Sequence, residues 1–157
     1  MANIVSTPEL HRIVPSVAIY RDDGRFLIIK RASNLKVHPG KWSIPGGGMS
    51  SEEYTNTPVT YGDNGWYLPV HEALKREVRE EVGLEIGEPK YLHHYTFVRP
   101  DGVPVLGMVF YAPHVSGDVV LDEDASDFTW ILPEELSNYD CIASIHREIA
   151  AASELLK

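Results

Sequence analysis

The stretch from Pro69 to Val82, PVHEALKREVREEV, constrains this chain more than any other. Leu74, Val78 and Val82 recur at i+4, which on a helix makes one apolar stripe that has to be buried. Pro69 suits the first helical turn, and Gly83 falls where a left-handed C-terminal cap would sit. The same helix carries Glu77, Glu80 and Glu81 at i, i+3 and i+4, on one side. Three grouped carboxylates repel one another. Grouped hard oxygen donors are also what Mg²⁺ or Mn²⁺ requires, and a cation would turn the repulsion into attraction. Arg76 and Arg79 allow a plainer reading, a solvated face on which the acids pair with arginines. Both readings stay open at this level.

The remaining elements surround that helix irregularly. Residues 12–20 (RIVPSVAIY) read as a strand, Arg21-Asp22-Asp23-Gly24 as a turn, and Phe26 to Ile29 as the returning strand of a hairpin. A polar loop over 33–41 leads to a short strand, Trp42-Ser43-Ile44. Residues 49–68 hold Pro58, Gly62, Asn64 and Gly65 without sustained periodicity and read as a long loop. Strands are expected over 91–98, 104–113, 118–121 and 128–131, and a short helical turn at Pro133-Glu134-Glu135-Leu136. A last helix is expected over 142–156, with Ile142, Ile145, Ile149 and Leu156 on one stripe. Without βαβ alternation, this pattern predicts an α+β fold, a mixed sheet with helices packed on it, in one domain over 1–157.

Net charge is −9, from 23 acidic and 14 basic residues. That balance argues against binding nucleic acid polymers or anionic membranes, which takes clustered Lys and Arg. The single cysteine, Cys141, excludes an intrachain disulfide and a thiolate zinc cluster, and is expected to act as a small core hydrophobe. His38, His71, His93 and His94 show no ligand spacing. The start, MANIVSTPEL, lacks the basic residues and apolar run of a signal peptide, and no stretch approaches a membrane span, so a cytoplasmic protein is expected.

Upstream of the acidic helix lies Trp42-Ser43-Ile44-Pro45-Gly46-Gly47-Gly48. A strand, a glycine turn and an acid-rich helix would set backbone close to a carboxylate cluster, an arrangement suited to a metal–phosphate site. Together these residues resemble the Nudix box: Gly, five residues, Glu, seven residues, then Arg-Glu-aliphatic-any-Glu-Glu-any-Gly-aliphatic. Residues 76–84 match every specified position of the second half, and Gly47 with Glu53 matches the first. Twenty-two residues separate Glu53 from Arg76 where the pattern has seven, an insertion of fifteen placed at Tyr54–Leu68. Glu52 is the alternative to Glu53. The opening strands at 12–31, and Asp124 to Trp130 with the following Pro-Glu-Glu-Leu, also look like the family.

The resemblance implies a Nudix-type α/β/α sandwich and hydrolysis of a pyrophosphate bond in a nucleoside diphosphate linked to a group X. A nucleoside triphosphate is the first candidate and a nucleotide sugar such as ADP-ribose the second. A non-catalytic nucleotide-binding module is the alternative from another class. Glu77, Glu80 and Glu81 would ligate one to three Mg²⁺ (or Mn²⁺), assisted by a backbone carbonyl of Gly46 or Gly47, and Arg76 would orient Glu77. A box glutamate or a late-loop acid, Glu123 or Asp124, would serve as general base, with Asp124 favoured by its spacing to Trp130. Trp66 and Tyr67 are candidates for stacking on a base, and Arg31 and Lys41 for meeting phosphate. A homodimer would be in keeping with the family.

Overall fold

A computed structural model describes residues 8–157; the first seven residues of the non-basic start lie outside the described residues. Seven strands form one mixed sheet: β1 (Arg12–Tyr20), β2 (Phe26–Arg31), β3 (Trp42–Ser43), β4 (Glu85–Ile86), β5 (Lys90–Val98), β6 (Pro104–Ser116) and β7 (Ala125–Ile131). β1 runs parallel to β6 along its whole length, from Arg12 beside Val105 to Tyr20 beside Pro113. β4 and β5 pair antiparallel with β6, while β3 and β7 pair antiparallel with β2.

Both faces of the sheet are covered, which explains why β1 and β2 read as near-continuous apolar runs. Val17, Ile19, Leu27 and Ile29 pack with Leu74, Val78 and Val82 of the acidic helix α2 (Pro69–Val82). The alternate residues Ala18, Phe26 and Ile28 pack with Ile145, Ile149 and Ala152 of the last helix α3 (Ile145–Leu155), and with Leu136 of a 3-10 turn (Pro133–Asn138). The α/β/α sandwich expected from the resemblance is present. α2 has the expected bounds; Gly83 caps it at φ +70° with its N–H on the Arg79 carbonyl. Among the described residues no helix is long and apolar enough to cross a membrane.

Five local expectations are corrected. β1 and β2 are not a full hairpin; they pair only at Tyr20 and Phe26. Between them runs the glycine segment: Val17 N–H donates to the Pro45 carbonyl (2.9 Å), and Gly47 and Met49 N–H donate to Pro15 and Ile13 (3.1 and 2.9 Å). The loop after Ser50 contains a one-turn helix, α1 (Glu52–Thr55); just before it Ser50 N–H donates to the Glu53 carboxylate and Ser50 Oγ accepts from Glu52 N–H. Residues 118–121 form no strand; Val120 and Asp122 N–H donate instead to the carbonyls of Val82 and Glu81 at the end of α2. The last helix starts at Ile145 rather than 142. Residues 140–142 are drawn onto the edge strand β3, with Trp42 N–H on the Asp140 carbonyl and Ile142 N–H on the Trp42 carbonyl, each at 2.9 Å. At its other end Leu156 is exposed, and Ala152 completes the buried stripe.

Candidate functional site

The glycine segment is clamped between β1 and α2, and its lack of side chains is what allows the clamp. A methyl group on Gly46 would lie 2.4 Å from the Pro15 carbonyl oxygen, and one on Gly47 would lie 2.4 Å from the Glu77 Cδ. The Glu77 carboxyl therefore rests directly on the Gly47 backbone. One turn on, Glu81 turns inward and accepts a hydrogen bond from Gly46 N–H at 3.0 Å. Only 8% of Glu81 is exposed. Burial pushes its carboxyl up to about 8, with Asp122 and Glu77 adding to the push and the Gly46 N–H and Arg31 opposing it.

Arg76 binds the rest of the acids. Its Nη2 donates to Glu53 and to Glu77, both at 2.7 Å, and its Nη1 donates to Glu80. Burial works against the charge on Arg76, but the bonds to Glu77 and Glu53 outweigh it and hold the guanidinium firmly protonated. Glu53, rather than Glu52, is thus the acid that reaches the helix, and the chain between them loops out and returns without disturbing the pairing. Glu53 Oε2 is buried with no hydrogen-bond partner.

Beside this network lies a cleft of about 730 Å³. Glu77, Glu81, Gly46 and Gly47 line it beside Asp122 and Asp124, which the loop after β6 delivers by bonding to the end of α2. Arg31 lines it too, its Nε held by the Val37 carbonyl at 3.0 Å. Glu80 is drawn out to Arg76 on the helix surface. Among the described residues no three His, Cys, Asp or Glu side chains converge tightly enough to hold an ion, and Glu53 and Glu77 are bonded to Arg76. The donor set still fits a hard divalent cation: carboxylates of Glu77, Glu81, Asp122 and Asp124 face one cleft, and that of Glu81 is held away from its ordinary ionisation.

Several expected residues are not brought here. Trp66 Nε1 donates to the Thr57 carbonyl and its ring lies 5.3 Å from that of Tyr54; Tyr67 is 67% exposed and packs on Tyr61 at 4.6 Å. The inserted aromatics pair with one another, outside the residues lining the cleft. Lys41 is tied to Asp140 at 2.7 Å, and Glu123 does not line the cleft. Sequence reasoning missed Asp122, although it belongs to the same acidic run as Asp124. It also missed Tyr95, Phe97 and Glu148, which line the cleft. The signal for Glu148 was an acid lodged within the apolar stripe of α3, next to Ile149.

Known proteins resemble this chain in sequence and in fold. Among curated relatives, the nucleoside triphosphatase NudI of Salmonella agona is 26% identical over 142 residues, spanning 84% of this chain and 90% of its own length. Solved structures of the same fold include the MutT NUDIX hydrolase from Burkholderia pseudomallei (TM-score 0.70, 23% identity, 90% of this chain and 98% of that one). They also include the MutT protein from Methanosarcina mazei Go1 (TM-score 0.67, 22% identity, 93% and 94%) and the NUDIX domain of Shewanella oneidensis NrtR complexed with ADP ribose (TM-score 0.70, 15% identity, 94% and 90%). A family model described as NUDIX domain matches residues 68–152, more than half of the chain, beginning just before the helix that holds Arg76, Glu77 and Glu81. The chain belongs to the Nudix hydrolase family.

Proposed function

We propose that this chain hydrolyses a pyrophosphate bond in a nucleoside triphosphate, with Mg²⁺ or Mn²⁺ held as cofactor by Glu77 and Glu81, and by Glu80 once it lets go of Arg76. The observation that carries the reading is one cleft bordered by Glu77, Glu81, Asp122 and Asp124 against a glycine backbone, with Arg31 on its wall. Bound to these carboxylates, a divalent cation would neutralise phosphate charge and acidify water. Arg76 holds Glu77 in place through a charge-assisted bond and ties it to Glu53. Arg31, on the cleft wall, would meet a phosphate oxygen. Asp124, or Asp122 beside it, would take the proton as water adds to phosphorus and the bond to the departing phosphate oxygen breaks. The named activity of the NudI relative points to triphosphates as the first substrates to test.

The decisive experiment measures phosphate and pyrophosphate release from the common nucleoside triphosphates and from ADP-ribose, with Mg²⁺ and with EDTA. Metal-dependent release from a triphosphate, lost in Glu81→Gln, is expected. Faster release from ADP-ribose would move the substrate to nucleotide sugars. Turnover that survives exhaustive EDTA treatment would refute the metal reading, and no turnover of any nucleotide would favour a binding module.

A further inference from the structure

The cleft has a second end that the hydrolytic chemistry does not use. α2 brings its acids from one face of the sheet; α3 brings Glu148 from the other. Glu148 is 1% exposed, lines the cleft, and its Oε2 is buried without any hydrogen-bond partner. An unpaired buried carboxyl oxygen is costly, and neighbouring apolar residues do nothing to relieve it. Burial accordingly pushes its ionisation up, against a bond from Ser144 one turn earlier. A donor supplied from within the cleft would remove that cost.

The surroundings suit a flat, apolar ligand. Tyr95 lies across Gly107 in the middle of β6: a methyl group there would sit 2.5 Å from the ring, so glycine leaves the room the ring fills. Phe97, two residues along β5, is stacked beside it at 6.2 Å and 23°. Ile142 and Ile145 line the same region as Glu148. Two aromatic rings and a buried acceptor make a pocket for a heterocycle with an N–H at its rim.

We propose that Glu148 is the residue that reads the base, accepting a hydrogen bond from an exocyclic amino group while the base lies against Tyr95 and Phe97. This rests on the nucleotide reading above. An amino group offers two N–H donors to an acceptor oxygen, whereas a keto group at the same position presents lone pairs to lone pairs. Cytosine and adenine both carry such an amine, and paired substrates separate them: cytidine against uridine triphosphate, and adenosine against inosine triphosphate.

The test compares kcat/KM within each pair for the wild type and for Glu148→Gln, whose amide both donates and accepts. The wild type should prefer the amino member of at least one pair by about tenfold or more. In Glu148→Gln that preference should shrink to within about threefold. Glu148→Leu, close in volume and without a polar atom, should lose the preference with a melting temperature at or above that of the wild type, which separates base reading from folding. Calorimetric binding of the nucleoside monophosphates repeats the comparison without hydrolysis, so the pocket is judged even if turnover fails. A wild type with equal preference in both pairs and both assays, or an amino preference unchanged in Glu148→Gln, overturns the proposal.

Discussion

Replacing Glu81 with Gln isolates the electrostatic cost of the site. In the metal-free protein the Glu81 carboxyl ionises at about 8, against an ordinary value of 4.5, chiefly because it is buried and then because Asp122 and Glu77 face it. A folded-state value above the unfolded one means that the folded protein holds the proton longer. The stability tied to that proton is complete below about pH 4.5 and is lost as pH rises through about 8. At about 1.4 kcal/mol per unit, the full loss is of the order of 5 kcal/mol. Gln keeps an acceptor for the Gly46 N–H but carries no charge to desolvate. In EDTA, thermal melts should show wild-type stability falling between pH 6 and pH 9 more steeply than that of Glu81→Gln. At pH 9 the variant should melt on the order of 10 °C higher, at about 2–4 °C per kcal/mol for a chain of this size. Adding Mg²⁺ at pH 9 should raise the wild type and leave the variant nearly unmoved, while the variant hydrolyses nothing. Parallel pH slopes, or a variant less stable than wild type at pH 9 in EDTA, would refute the reasoning.

Three more outcomes follow from contacts described above. Gly47→Ala puts a methyl group into the Glu77 carboxyl and should cut kcat by about a hundredfold, the scale of losing one well-placed electrostatic group, with far-ultraviolet circular dichroism unchanged. Arg76→Met releases Glu53, Glu77 and Glu80 at once; kcat should drop at least tenfold, and Arg76→Lys should recover only part of it because an ammonium cannot reproduce the fork. Trp66→Ala breaks the pairing with Tyr54 and the bond to Thr57; it should lower the melting temperature by about 5 °C, from about 1–2 kcal/mol, with KM for the best substrate unchanged. A raised KM at constant stability would instead place the insertion over the substrate.

The sequence by itself determined the acidic helix, its cap and the sidedness of its residues. Periodicity decides which side Leu74 and Val78 share, and the spacing of Glu77 and Glu81 is a covalent fact carried directly into a 3.6-residue repeat. That Arg76 would hold Glu77 was also expected from the family pattern, whereas its bond to Glu53, and the choice of Glu53 over Glu52, came from the folded chain. The tertiary structure decided what lies between distant segments. β1 and β2 part because the glycine segment takes the hydrogen bonds a hairpin would use, and no local propensity records that competition. The aromatics of the insertion pair with one another, Tyr54 with Trp66 and Tyr61 with Tyr67, and none of them lines the cleft. Glu148 lies within the apolar stripe of α3, but only the packing of α3 against the sheet buries it beside Tyr95 and Phe97 and leaves its oxygen without a partner, since burial depends on which elements meet as well as on the spacing within one of them.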